Sequence, residues 1–233
     1  MLPLKDDIPT RTFPIVTVGL IATNVLIFFY QVSLELAPDP SAARAAQQFV
    51  LEFGLVPCRL TGSCVVQGDA LSPFFTIFSS MFLHGGLFHI FGNMLYLWIF
   101  GNNVEDTLGH GRFLLFYLAA GVAAALTQTV IGPGSRVPMI GASGAISGVL
   151  GAYLILFPQA SVLTLITFGF FWRIVRVPAV IVLGFWIVVQ LLNGVLTFGA
   201  GQQGGVAVFA HIGGFAAGIL LLWVVRPRAR TLR

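Results

Sequence analysis

Helix-length runs of apolar residues constrain this chain more than any motif does. Six of them stand out: Phe13–Leu36, Leu87–Val104, Phe113–Ile131, Ile140–Phe157, Pro178–Thr197 and Val206–Val225. Only 9% of the 233 residues are charged and 57% are hydrophobic, with a mean hydropathy of +0.94. A soluble domain carries about 25% charged residues. Most of this surface must therefore face lipid. Lipid offers backbone groups no outside hydrogen-bond partner, so only helices or closed barrels span it. The runs are long and rich in Leu, Val, Phe, Gly and Ala. They lack the short alternating segments of a membrane barrel. The expected fold class is all-α, a polytopic membrane protein built as a six-helix bundle. It reads as a single membrane domain. A short cytoplasmic segment (1–12) precedes six helices (13–225), which include a long first outer loop (37–72), and a basic tail (226–233) follows.

Charge placement orients the bundle. With six spans and both termini inside, the inside set is Lys5, Arg11, Arg112, Arg173, Arg176, Arg226, Arg228, Arg230 and Arg233, against Arg44, Arg59 and Arg136 outside. That bias obeys the positive-inside rule. Ser161–Val177 is also apolar, with Phe168, Phe170, Phe171 and Trp172, but Arg173 and Arg176 interrupt it. A seventh span there would throw the C-terminal arginines outside, so an interfacial connection is expected instead. The net charge of +4 sits at span ends, which argues against a nucleic-acid partner. Met1–Asp7 shows no cleavable-signal pattern, so the first run is expected to remain as a helix. Without a targeting sequence, a prokaryotic plasma (inner) membrane is the default expectation.

The first outer loop holds most of the polar sequence. Ser41–Phe53 is expected to form a short amphipathic helix on the membrane surface. Cys58 and Cys64 lie in the same loop, and their pairing as a disulfide or persistence as two thiols is open at this point. No histidine or further cysteine accompanies them, which disfavours a zinc site.

Polar and ionisable residues inside a membrane are costly and mark function. The candidates are His84, His89, Asn93, Ser143, Ser147 and His211. The second, fourth and sixth spans enter from the same face, so all of these lie toward the outer half. A serine hydroxyl needs a neighbouring base to act as a nucleophile. His211 can be that base for Ser143 only if their helices approach closely, and small residues permit this. Gly141, Gly144, Gly148 and Gly151 line the fourth span, while Gly214 and Gly218 follow His211. His89 and Asn93 stand one turn apart and can donate hydrogen bonds to an oxyanion, as can the Ser143 amide at a helix N-terminus. The rival for each motif is plain helix packing. No carboxylate falls in the outer half of a span; Glu105 and Asp106 lie at the inner end of the second, where Glu105 is expected to brace the inner loop, with Arg112 as a possible partner. A Ser-His dyad fits better than a triad.

These residues resemble the rhomboid family of intramembrane serine proteases. The matching pieces are Gly141-Ala142-Ser143-Gly144, His84 followed by His89 and Asn93, and Ala210-His211-Ile212-Gly213-Gly214-Phe215-Ala216-Ala217-Gly218. The resemblance runs from about Phe13 to Val225. It implies Ser143 as nucleophile, His211 as general base, and His89 and Asn93 as oxyanion donors, with Gly141 beside them on the oxyanion and substrate side. It also implies six helices, no metal or organic cofactor, membrane-anchored protein substrates and a preference for small residues near the cut bond. The sequence departs from the family pattern in two places. Ser147 stands where members often carry an aromatic residue against the histidine, so it is expected either to bond the imidazole or to leave its orientation to other contacts. The outer loop lacks the Trp-Arg pair of some members; Trp172-Arg173 lies on the other side. The Gly-rich stretch 198–205 is a candidate mobile cap, with Phe198 as a plug. Two rivals remain: a non-catalytic protein that holds client helices, and a haem or metal protein using His84, His89 and His211.

Overall fold

A computed structural model describes residues 1–36, 42–65, 71–200 and 207–226. The chain is mostly helical. The helices are α1 (Ile15–Glu35), α2 (Ala42–Phe53), α3 (Pro57–Leu60), α4 (Pro73–Ser79), α5 (Leu87–Tyr96), α6 (Asn102–Leu108), α7 (His110–Ile131), α8 (Ser143–Leu156), α9 (Ala179–Ala200) and α10 (Val208–Val225). Among the described residues three strands join them: β1 (Leu2–Lys5), β2 (Ser161–Phe168) and β3 (Phe171–Pro178).

Four of the described helices are long and apolar enough to cross a membrane: α1, α7, α9 and α10. A π-helical turn at Leu97–Gly101 joins α5 and α6 into one rod, Leu87–Leu108. This rod meets the preceding segment Pro73–Phe82 at 84°, and counted together the bent pair makes a fifth candidate span. Gly86, with φ +150°, supplies the break. The fourth expected span is shorter than expected. α8 has 14 residues, about 21 Å of helix, against a hydrocarbon core of about 30 Å.

That short helix is the centre of the bundle. Every residue from Ala145 to Tyr153 is buried, as a helix apolar on all sides must be. Its glycines face α10 at backbone distance. A Cβ on Gly214 would strike the Gly144 carbonyl, one on Gly218 the Gly148 carbonyl, and one on Gly151 the Phe215 carbonyl. On its other side α8 packs against α7, where a Cβ on Gly144 would lie 2.7 Å from that of Ala124. The expected glycine stripe therefore holds for Gly144, Gly148 and Gly151. Gly141 is not part of it, because it precedes the helix and has φ +120°.

On α6, Glu105 is fully buried and fully used. Its carboxylate accepts the Val16 and Thr17 amides at 2.9 and 2.7 Å and the Thr17 hydroxyl at 2.6 Å. An anion there also suits the positive end of the α1 dipole. The expected bracing role stands, but the side chain beside Glu105 is His110 Nδ1, not Arg112.

The all-α expectation needs correction at Ser161–Val177 and at the N-terminus. β2 and β3 form an antiparallel hairpin, paired from Ser161↔Pro178 to Phe168↔Phe171, and β1 adds to the outer edge of β2. β-branched residues favour the pleated form. Val162 and Thr164 alternate inward and are fully buried. Asp7 accepts the Ser161 amide at 2.7 Å, and the Tyr153 hydroxyl donates to Asp6 at 2.6 Å, so the sheet is tied to the foot of α8.

In the long first loop the expected helix forms as α2. Cys58 and Cys64 are joined as a disulfide. Arg59 is buried and donates to the carbonyls of Leu51 at 2.9 Å and Leu71 at 3.3 Å. It holds this loop together without a Trp-Arg pair.

Replacing Gly218 by Val would force α8 and α10 apart. Overpacking of this kind costs about 1–3 kcal/mol, so thermal unfolding in detergent should show a lowered midpoint for Gly218→Val. Gly184→Ala, where the added methyl meets nothing within 4 Å, should leave it unchanged.

Candidate active site

The close approach of α8 and α10 has a chemical result. Ser143 is the first residue of α8 and His211 lies in the first turn of α10. Ser143 Oγ and His211 Nε2 are 2.8 Å apart. The other ring nitrogen, Nδ1, lies 2.9 Å from Gln190 Oε1 on α9. An amide oxygen only accepts, so Nδ1 carries the proton. Nε2 is then left with a lone pair, and the serine hydroxyl donates to it. This is the arrangement a general base requires.

The imidazole is held from a second side as well. Trp186, one turn before Gln190, packs its ring against His211 with centroids 5.8 Å apart, and against Phe215 at 6.1 Å. Ser147 takes no part in this. Its hydroxyl donates back to the Ser143 carbonyl at 2.6 Å, so of the two expectations for Ser147 the second applies. Orientation of the ring falls to α9.

Across the cavity, the Gly85 amide donates to His89 Nδ1 at 3.2 Å. Nε2 of His89 therefore carries a hydrogen. A Cβ built on Gly141 would lie 2.7 Å from that nitrogen and 3.7 Å from Asn93 Nδ2. Both donors thus converge on the segment entering α8. Asn93 is buried and its amide nitrogen has no hydrogen-bond partner, a costly state unless something fills it. The Ser143 amide, at the start of α8, also lacks an intrahelical acceptor. Gly141 permits the close passage, since its φ of +120° and the nearby imidazole both exclude a side chain. Its own amide donates to the Ser80 carbonyl at 2.8 Å.

A cavity of about 780 Å³ opens onto these groups, lined by His89, Asn93, Gly141, Ser143, Trp186 and His211 among others. No carboxylate lines it among the described residues. His84 is buried behind it, its ring edge-on to His89 with centroids 5.0 Å apart. Gln31 clamps the His84 backbone at both amide and carbonyl. His84, His89 and His211 are not gathered into a ligand set; among the described residues no three metal-ligating side chains stand together. Of the cap expected at 198–205, residues 198–200 continue α9, while 201–205 and the Phe198 side chain lie outside the described residues.

A family model for the rhomboid domain matches residues 72–228. The chain belongs to the rhomboid family. It is 27% identical to RHOMBOID-like protein 1 of Arabidopsis thaliana over 93% of this chain and 55% of that protein. It is 36% identical to rhomboid protease GluP of Bacillus subtilis over 60% of this chain and 24% of that protein. With the mitochondrial rhomboid protein 1 of Saccharomyces cerevisiae it shares 32% identity over 69% and 44%. The chain thus spans from about a quarter to just over half of these relatives' lengths. Its apolar helices and its family make it an integral membrane protein. Because the relatives include plant and mitochondrial rhomboids, they lend no support to the expected prokaryotic membrane.

Gln190 and Trp186 are the residues that sequence reasoning missed. The signal was present: an uncharged amide in the middle of an apolar span is costly and calls for a partner. Gln190→Leu should slow the reaction of Ser143 with a fluorophosphonate by roughly one to two orders of magnitude, by analogy with other losses of a positioned general base. Ser147→Ala should label at the parental rate. Timed labelling followed by mass spectrometry reads both.

Proposed function

We propose that this rhomboid is an intramembrane serine endopeptidase acting through a Ser143–His211 dyad on membrane-anchored proteins. The observation that carries this reading is the 2.8 Å approach of Ser143 Oγ to an imidazole nitrogen whose partner nitrogen is committed to Gln190. A helix-packing serine would need no such base. The carbonyl of a locally unwound substrate helix enters the cavity, and Ser143 attacks it while His211 Nε2 takes the hydroxyl proton. Charge gathers on the carbonyl oxygen. The Ser143 amide, His89 Nε2–H and Asn93 Nδ2–H stabilise it, with Gly141 leaving room. His211 then gives its proton to the leaving amine. Water, deprotonated by the same nitrogen, attacks the acyl carbon; the bond to Ser143 Oγ breaks and His211 returns the proton to that oxygen.

In this reading the short α8 joins the four long helices and the bent pair as a six-helix membrane domain with both termini cytoplasmic. In it α8 is the fourth span, with its N-terminus sunk below the outer surface, so that Ser143 lies within the membrane yet faces a cavity. The rhomboid protease GluP shares this family, and so do relatives named only as rhomboid-like. Small residues near the cut bond are expected from the family resemblance.

Cleavage of a single-span model substrate in liposomes tests the proposal. Ser143→Ala and His211→Ala should each abolish product. Undiminished cleavage by Ser143→Ala would sink the protease reading, and binding of the substrate helix by a wild type that never cuts would favour the holding role. Asn93→Ala should lower kcat/KM by about 2–4 kcal/mol of transition-state stabilisation with little change in substrate binding. An unchanged kcat would return Asn93 to a packing role.

A further inference from the structure

The β2–β3 hairpin presents a feature that peptide-bond chemistry does not use. Its root is fixed: α8 leads into it through Phe157–Ala160 and α9 leaves it at Ala179, so it starts at the membrane face where these two helices end. β1, Asp6 and Asp7 pin that root to the bundle. The tip is free. Beyond the last residue paired with β1, Leu165, the hairpin carries Phe168, Phe170, Phe171 and Trp172, each at least 77% exposed. Phe170 is fully exposed at the turn, beside Gly169 with φ +57°. Four large apolar side chains within five residues are not a solvated loop tip; a patch of this kind marks a contact surface.

The register sets Arg173 beside this tip and Arg176, across from Leu163, at the pinned root. Trp172, Ile174 and Arg176 alternate along one face of β3, turned away from the buried Val162 and Thr164. Arg173 projects from the opposite face, cross-strand from Ile166. Among the described residues no acidic side chain lies in the hairpin. Aromatic residues flanked by guanidinium groups match the headgroup layer, where rings sit at the boundary and Arg pairs with phosphate.

We propose that the hairpin folds back against the membrane and seats its aromatic tip in the headgroup layer, with Arg173 and Arg176 bound to anionic lipid phosphates. The partner is thus a lipid surface, and the hairpin is a lipid-reading element built between α8 and α9. The proposal rests on the membrane placement of those helices and is independent of whether Ser143 cuts peptides.

The test uses the full chain in lipid nanodiscs holding one copy each. Phe170→Cys carries an environment-sensitive fluorophore; Cys58 and Cys64, joined to each other, do not react. In discs containing phosphatidylglycerol, lipids spin-labelled near the headgroup should quench the dye. Aqueous iodide should quench it several-fold less than free dye. Arg173→Glu with Arg176→Glu, or discs of phosphatidylcholine alone, should restore iodide access. Full iodide access in anionic discs, with no quenching from the spin-labelled lipid, overturns the proposal. So does protection that appears only with two copies per disc, which would make the partner a second chain. Equal protection in zwitterionic discs overturns the assignment to anionic phosphates.

Discussion

Backbone contact between α8 and α10 is the constraint on which the rest depends. Side chains normally hold helix axes 8–10 Å apart. Here the glycines of one helix lie against the carbonyls of the other at Gly144–Gly214 and Gly148–Gly218. Without a hydrophobic force between helices in lipid, such packing is a main source of association. It also fixes chemistry. Two short side chains reach a 2.8 Å hydrogen bond only because nothing larger separates the backbones one turn further in. The same contact that stabilises the bundle therefore pre-positions the pair, and no flexible linker has to bring serine and histidine together.

Orientation of the imidazole is a separate problem with a separate solution. A carboxylate would fix the tautomer strongly, but a carboxylate buried at this depth would need its own partners. Glu105 shows what that demands: two amides, a hydroxyl and His110 surround it. Gln190 does the orienting as a neutral group. It selects the Nδ1–H tautomer through one hydrogen bond, while Trp186 restricts the plane of the ring. The proposed dyad is in this sense a three-residue arrangement whose third member carries no charge.

What the sequence made legible was what composition and periodicity encode. Span positions follow from apolar length, and the shared depth of His89, Ser143 and His211 follows from their parity along the chain. The meeting of Ser143 with His211 was readable because two glycine stripes must lie face to face to be of use. Three things were not readable. Gln190 carries no titratable group, and its value depends on the rotation of α9 about its own axis, which a nearly uniform apolar helix does not reveal. The Ser161–Pro178 hairpin was hidden because Arg173 and Arg176 argue against a span without arguing for strands; the inward alternation of Val162 and Thr164 is visible once the partner strand is known. The turn at Gly86 depends on a positive φ that a glycine permits but does not require.

These parts divide the molecule into a fixed and a less tightly held half. α8 is enclosed by α7 and α10, and it carries the nucleophile. α9 is less buried against the rest of the protein than α7 and α10 are, yet it supplies both groups that orient the base. A displacement of α9 away from the bundle would leave Ser143 and His211 in place, because their helices are locked by backbone contact. It would remove the acceptor from Nδ1, and with it the force that keeps the lone pair on Nε2. In the proposed mechanism the nucleophile is therefore positioned by the rigid half, while the basicity directed at it depends on how closely α9 lies against α10.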